Sequence, residues 1–162
     1  MEKVKTAFPP IVNNDSRILL LGTMPGERSL ILNQYYGHAG NQFWKIIFSL
    51  FEHPFTTDYA VRKQLLLNNG VALWDVLKHC QGKGASDNAI KNEVPNDFDA
   101  FYKQYPSIKN VFLTSKKADY FYNKYVGKEA QRNYYLLPSP SRANTWKSVQ
   151  EKVMEWQEIL KL

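Results

Sequence analysis

Four short apolar runs limit what this chain can fold into. They read RILLLGT (Arg17–Thr23), VALWDVL (Val71–Leu77), KNVFLTS (Lys109–Ser115) and NYYLLPSPS (Asn133–Ser141). Each is about strand length and nearly continuous in apolar residues, the pattern of a strand covered on both faces. Between them the apolar period switches to that of helices. Phe43, Trp44, Ile47, Phe48 and Phe51 predict a helix from Asn41 to about Glu52, and Thr56–Gly70 predicts a second one. Shorter helical patterns cover Asn96–Tyr105 and Lys116–Val126, and Trp146, Val149, Val153, Trp156 and Leu160 mark a last helix begun near Asn144. Strands alternating with helices imply an α/β fold, a three-layer α/β/α sandwich around a mostly parallel four-stranded sheet. Residues 1–16 read as an extended, proline-braced lead-in, and Gln81–Pro95 as a long polar loop. The 162 residues are expected to form a single domain.

Composition narrows the setting. No apolar stretch is long enough to cross a bilayer, and no secretory leader pattern opens the chain. The lone Cys80 rules out an internal disulfide and a multi-cysteine metal site. It is expected to be a half-buried small residue in a reducing, intracellular (cytoplasmic) protein. Twenty-one Lys and Arg against fifteen Asp and Glu give a net charge of +6. That surplus suits a polyanionic partner, because cations that neutralise phosphates release condensed counterions. It also suits plain solubility.

In open parallel sheets the ligand crevice lies beyond the carboxyl ends of the strands, and three unusual segments fall there: GTMPG…HAGN after the first strand, WDVL after the second and PSPSRAN after the fourth. GTMPG (Gly22–Gly26) is a glycine-rich turn, either a cradle of backbone amides or simply a tight turn. It lacks the Gly-Lys-Ser/Thr of a Walker loop and the Gly-x-Gly-x-x-Gly of a dinucleotide site. QYYGHAGNQFW (Gln34–Trp44) offers Tyr36, His38 and Asn41, though Asn41 equally fits a helix cap and Tyr35 and Tyr36 equally fit a core. LPSPSRAN (Leu137–Asn144) is a stiff loop with two hydroxyls and Arg142, fit for phosphate oxygens or for an ordinary strand-to-helix connection.

Taken in this order, GTMPG, YYGHAGNQFWKIIF and LPSPSRAN resemble the uracil-DNA glycosylase superfamily. The likeness runs from about Arg17 to Asn144 and is greatest to its hypoxanthine/uracil branch, the DNA-deoxyinosine glycosylases. The mismatch-specific branch, with thymine-DNA glycosylase, has a comparable HPxNxFW stretch. The resemblance implies a monofunctional DNA glycosylase without a cofactor or metal, expected to act as a monomer on DNA carrying a deaminated base. Gly22, Thr23, Met24, Pro25 and Gly26 would lie beside the extruded base and its sugar. Many members carry Asp, Asn or Glu in this loop to position water, whereas this chain has Thr23 and Met24. Asn41 is then the implied catalytic residue, Tyr36 the implied stacking surface and His38 a further substrate contact. The branch usually shows Pro-Arg between that His and Asn; Ala39 and Gly40 stand there instead. Ser139, Pro140, Ser141 and Arg142 would engage DNA, the serines at phosphates and Arg142 in the gap left by the base. Asp75 is the nearest carboxylate candidate near the second strand, read as structural because Asp at a strand end commonly caps a turn.

Two other readings compete with excision of a base. A binding module of the same fold would have lost the water-positioning group, as the missing carboxylate in GTMPG suggests. A nucleotide-binding or hydrolytic α/β enzyme acting on small molecules is the more distant rival, encouraged by no Ser-His-Asp order and no nucleophile elbow.

Overall fold

The computed structural model describes residues 3–82 and 90–162. In chain order the elements are β1 (Lys5–Thr6), β2 (Ile18–Gly22), α1 (Glu27–Leu32), α2 (Phe43–Leu50), α3 (Tyr59–Asn68), β3 (Val71–Asp75), β4 (Leu77–Gln81), β5 (Lys91–Pro95), α4 (Phe98–Gln104), β6 (Asn110–Leu113), α5 (Lys116–Tyr125), β7 (Asn133–Leu136) and α6 (Val149–Trp156). A 3-10 turn over Gln157–Lys161 follows.

The expected α/β/α architecture is present. β3, β2, β6 and β7 form one sheet in that order, every pair parallel. The continuous apolar run of β2 is explained by its two faces. Ile18 and Leu20 enter a core with Phe43, Ile46, Ile47, Leu66 and Trp156, from α2, α3 and α6. Leu19 and Leu21 enter a second core with Phe98, Phe101, Ala118, Phe121 and Tyr122, from α4 and α5. Each such side chain, once buried, contributes roughly 1.5–3 kcal/mol.

β2 gains β3 on one side and β6 on the other, so the chain reverses its direction of winding between β2 and β6. That gap is the topological switch point, where crevices open beyond the strand ends in such sheets. The carboxyl end of β2 delivers Gly22 and Thr23 there, and that of β6 delivers Thr114 and Ser115.

Four expectations need correction. The polar segment Gln81–Pro95 is not a plain loop: β4 and β5 pair antiparallel, and Lys5 and Thr6 of the lead-in pair with Cys80 and His79 to complete a second, three-stranded sheet. Alternating polar residues made these strands resemble loop, and the intervening 83–89 lie outside the described residues. Cys80 is buried rather than half-buried, because it faces the second core. The short helix α1 follows GTMPG directly, where glycine and proline had suggested only a turn. Last, α6 starts at Val149 and not near Asn144. Ser148 and Glu151 form a reciprocal capping box that fixes this start, while Asn144 is drawn back by its N–H to the Ser141 carbonyl at 3.0 Å. Trp146 therefore stands in the loop ahead of the helix.

Similar local chemistry trims other helices. Asp58, rather than Thr56, caps α3 by accepting from the Ala60 and Val61 N–H groups at 3.0 and 3.3 Å. Gly70 ends that helix with φ +70°, and a Cβ there would run into the Arg17 guanidinium. β7 stops at Leu136 because Pro138 and Pro140 cannot donate to a ladder.

Candidate active site

Gly22 closes β2 opposite Asp75, the last residue of β3. A Cβ on Gly22 would lie 2.7 Å from Asp75 Oδ1 and 2.9 Å from the Tyr36 hydroxyl. Only glycine lets the buried carboxylate and the phenol approach the same strand end this closely. Asp75 thus stands at the carboxyl end of β3 beside Gly22, the strand end where WDVL was expected to reach the crevice.

The rest of the GTMPG turn folds inward. Thr23 is buried, its hydroxyl 3.4 Å from that of Ser115. Met24 packs on the second core, Pro25 is buried, and Gly26 leads into α1. Thr23 spends its side chain inside the fold, so what this turn can offer a ligand is chiefly main chain.

The two adjacent tyrosines take opposite parts. Tyr35 is core: its hydroxyl donates to the Pro9 carbonyl at 2.8 Å, and its own carbonyl accepts from the Trp44 indole at 2.8 Å. Burial, then the negative charge of Asp75, pushes that hydroxyl far above the ordinary tyrosine range, so it remains a neutral donor. Tyr36 is half-buried in the left-handed region at φ +52°. One face of its ring stacks on Phe43 at 4.1 Å and 6°, and its hydroxyl lies 3.2 Å from Thr114 Oγ1. Left-handed backbone is costly for a residue with a Cβ, and the stack and hydrogen bond hold it in place. Thr114, which also donates to the Leu21 carbonyl at 3.0 Å, gave no signal in the sequence beyond ending a strand.

His38–Asn41 is a tight turn. Asn41 N–H donates to the His38 carbonyl at 2.9 Å, and Gly40 N–H donates to His38 Nδ1 at 2.9 Å. That bond makes Nδ1 an acceptor and leaves the Nε2 edge as the donor of the neutral ring. Asn41 Oδ1 accepts from Phe43 N–H at 2.9 Å, an Asx turn one residue ahead of α2, whose N-cap is Gln42 rather than the expected Asn41. With one lone pair of the oxygen engaged in this way, the amide NH2 keeps its two donors for other partners.

The late loop meets this turn directly. Gln42 N–H donates to the Pro140 carbonyl at 2.9 Å. A Cβ on Gly40 would lie 3.0 Å from Arg142 Cδ and 3.1 Å from the His38 ring. The stem of Arg142 therefore lies across the place that Gly40 leaves open. Ser139 Oγ accepts from Ser141 N–H at 3.1 Å and Ser141 Oγ from Ala143 N–H at 3.2 Å, which leaves both hydroxyl protons for another acceptor. Pro140 is buried and Arg142 exposed.

Behind both loops lies a residue the sequence did not flag. Lys152 of α6 is fully buried, and its ammonium donates to Gln42 Oε1 at 2.7 Å and to the Ser141 carbonyl at 3.2 Å. One side chain thus ties the two loops together. Desolvation holds its pKa below the usual lysine range. Trp156, one turn on, donates its indole N–H to the Pro138 carbonyl at 3.0 Å and anchors the same loop.

This assembly, with glycine turn, Asn-bearing turn and Pro-Ser loop at one end of a parallel sheet, coincides with a family match over residues 9–161 to the model described as the uracil DNA glycosylase superfamily. The chain belongs to the uracil DNA glycosylase superfamily. As a member it is a DNA glycosylase, a hydrolase of N-glycosyl bonds. Over nearly its whole length it is 34% identical to a protein of Methanosarcina barkeri named hypoxanthine DNA glycosylase, with 97% of this chain and 98% of the relative covered. A protein of the same name from Methanosarcina acetivorans is 29% identical, with 98% and 99% covered. The fold is similar to a solution NMR structure of a Methanosarcina acetivorans protein given provisionally as a uracil DNA glycosylase. The TM-score is 0.80 at 27% identity, covering 98% of this chain and 99% of that one. Among the described residues no helix is long and apolar enough to span a membrane.

Proposed function

We propose that this glycosylase excises hypoxanthine, and uracil as a second substrate, from DNA by extruding the nucleotide and hydrolysing its N-glycosidic bond. The observation that carries the reading is the Gln42–Pro140 hydrogen bond of 2.9 Å. It joins the Asn41 turn to the Ser139–Arg142 loop at the mouth of the sheet, so one nucleotide can be held by both. The substrate class is supported by the names of the two Methanosarcina relatives.

The residues fit the reaction. C1′ of a stacked nucleotide is out of reach, so the base must leave the stack at a cost of a few kcal/mol. Tyr36, pinned from behind by Phe43, is a rigid flat surface on which an extruded base can rest, and Gly22 keeps the approach to the strand end open. Ser139 and Ser141 donate to phosphate oxygens, and Arg142 supplies charge beside them. As the C1′–N bond breaks, its electron pair goes to the departing base and the sugar gains oxocarbenium character. A donor aimed at the base then stabilises the developing negative charge. The Asn41 NH2 group is that donor, since its oxygen is held by Phe43 N–H. Water adds to C1′ and its proton passes to solvent or base. An amide does not deprotonate water effectively, so turnover is modest. No Schiff base forms in this scheme, and the product is an unnicked abasic site.

The test is a panel of labelled oligonucleotides carrying inosine, uracil, xanthine or a G·T pair, incubated with protein and then treated with alkali. Cleavage at inosine and uracil, lost in Asn41→Ala with DNA binding retained, is the expected result. Tight binding without cleavage at any lesion would make the protein a binding module, and undiminished cleavage by Asn41→Ala would remove Asn41 from the reaction.

A further inference from the structure

Of the four tryptophans, Trp44, Trp74 and Trp156 are at most 8% exposed, whereas Trp146 is 93% exposed. It is the most exposed of all the large apolar side chains described, and it makes no ring contact with a described residue. A single exposed apolar residue is ordinary by itself. What sets Trp146 apart is its place. It stands on the loop between β7 and α6 that carries Ser139–Arg142.

That loop is fixed at both ends. Asn144 is bound through its side chain to the Ser139 carbonyl at 3.2 Å, and the Ser148–Glu151 capping box holds the far end. Residues 139–147 contain Arg142 and Lys147 and no carboxylate. Lys147 reaches Glu155 at 3.0 Å, while Arg142 has no carboxylate partner among the described residues. The neighbours Asn144, Thr145 and Lys147 are polar, so Trp146 is not the centre of an apolar patch of the kind that docks another protein. A lone flat ring on a basic, pre-shaped loop matches the face of a nucleobase instead.

We propose that Trp146 is a base-stacking platform, lying against a base face exposed beside the extruded nucleotide and so extending the DNA contact beyond the base pocket. This rests on the glycosylase reading above. When a nucleotide swings out, its neighbours and its former pairing partner each lose a stacking contact. An indole on this loop can replace one of them, and with two side-chain torsions it loses little entropy on ordering.

The experiment follows tryptophan emission while the full-length protein is titrated with a duplex containing a stable abasic analogue. The other three indoles are buried, so the part of the emission change that is lost in Trp146→Phe reports Trp146. The expected result is strong quenching in the wild type and its loss in Trp146→Phe, with Kd raised about tenfold in Trp146→Ala and by less than threefold in Trp146→Phe. Equal quenching in wild type and Trp146→Phe, or a Kd within threefold of wild type in Trp146→Ala, overturns the proposal. An exposed side chain leaves folding intact, so the variants remain readable. Excision of inosine by the wild type, assayed in parallel, separates the two ideas. Excision with an unresponsive Trp146 ends this inference alone; a responsive Trp146 without excision at any lesion ends the glycosylase reading and leaves a DNA contact.

Discussion

Lys152 and Gln42, 110 positions apart in sequence, are joined by a 2.7 Å hydrogen bond beneath the two loops that form the candidate site. The same ammonium also holds the Ser141 carbonyl. A buried cation offset only by neutral acceptors is expensive, and exchanging it for an apolar side chain of similar length removes the cost as well as the hydrogen bonds. Lys152→Met should therefore stay within about 1–2 kcal/mol of wild-type stability while excision falls about 100-fold, since a displacement of about 1 Å can cost that much. Urea unfolding beside single-turnover excision checks both halves. Full activity in Lys152→Met would show that the loops keep their register without it.

Asn41 has two separable duties. Its oxygen holds the turn that leads into α2, and its NH2 group is assigned to the departing base. Asn41→Asp keeps the acceptor for Phe43 N–H and replaces the donor by negative charge. Stability should stay within about 0.5 kcal/mol of wild type, whereas Asn41→Ala should lose about 1 kcal/mol with that hydrogen bond. Excision should collapse in both, because a carboxylate repels the charge developing on the base. Retained turnover in Asn41→Asp would assign Asn41 to water instead of base.

The fold was legible because β2 is apolar on successive residues, and only a strand covered on both faces uses that pattern. The second sheet was not. β4 and β5 mix exposed Lys and Asn with occasional buried residues, and their partner β1 is two residues long. Within the site, Asn41, Tyr36 and the Pro-Ser loop stood out through glycine, proline and amide clustering. Asp75 stood out only as a strand-end carboxylate, and Thr114 and Lys152 did not stand out, because each sits in an ordinary strand or helix pattern and gains its place only when distant elements close on it. Trp146 was misplaced for a related reason: at helical spacing from Val149 and Val153 it reads as core, and the capping box that excludes it from α6 is a weaker pattern.

Gly22 should tolerate no side chain. In Gly22→Ala the new Cβ meets Asp75 Oδ1 and the Tyr36 hydroxyl at 2.7 and 2.9 Å, so one must give way. Moving Asp75 disturbs a buried carboxylate, and moving Tyr36 breaks its bond to Thr114. Such overpacking costs about 1–3 kcal/mol, and excision should fall more steeply than affinity for undamaged DNA. A variant with wild-type melting and turnover would show that the floor of the site is more accommodating than its geometry indicates.

Two opposed sets of buried groups shape the alkaline stability profile. Lys152 has its pKa lowered by desolvation, so at pH values between its folded pKa and about 10.4, the ordinary lysine value, the unfolded chain binds more protons than the folded one. Stability rises with pH wherever that holds, and the contribution levels off once the unfolded lysine also deprotonates. Tyr35, Tyr102 and Tyr122 are raised, each chiefly by burial. Above about pH 10 their unfolded counterparts ionise while the folded ones stay protonated, so the folded chain now binds more protons and stability falls. Urea midpoints taken from about pH 8 to pH 11 should climb and then drop in the wild type, the range being set by the ordinary lysine and tyrosine values. Lys152→Met should lose the climb and keep the drop. An identical profile in the two proteins would mean that Lys152 keeps its ordinary proton affinity in the folded state, and that its ammonium is better solvated than its burial between Gln42 and Ser141 implies.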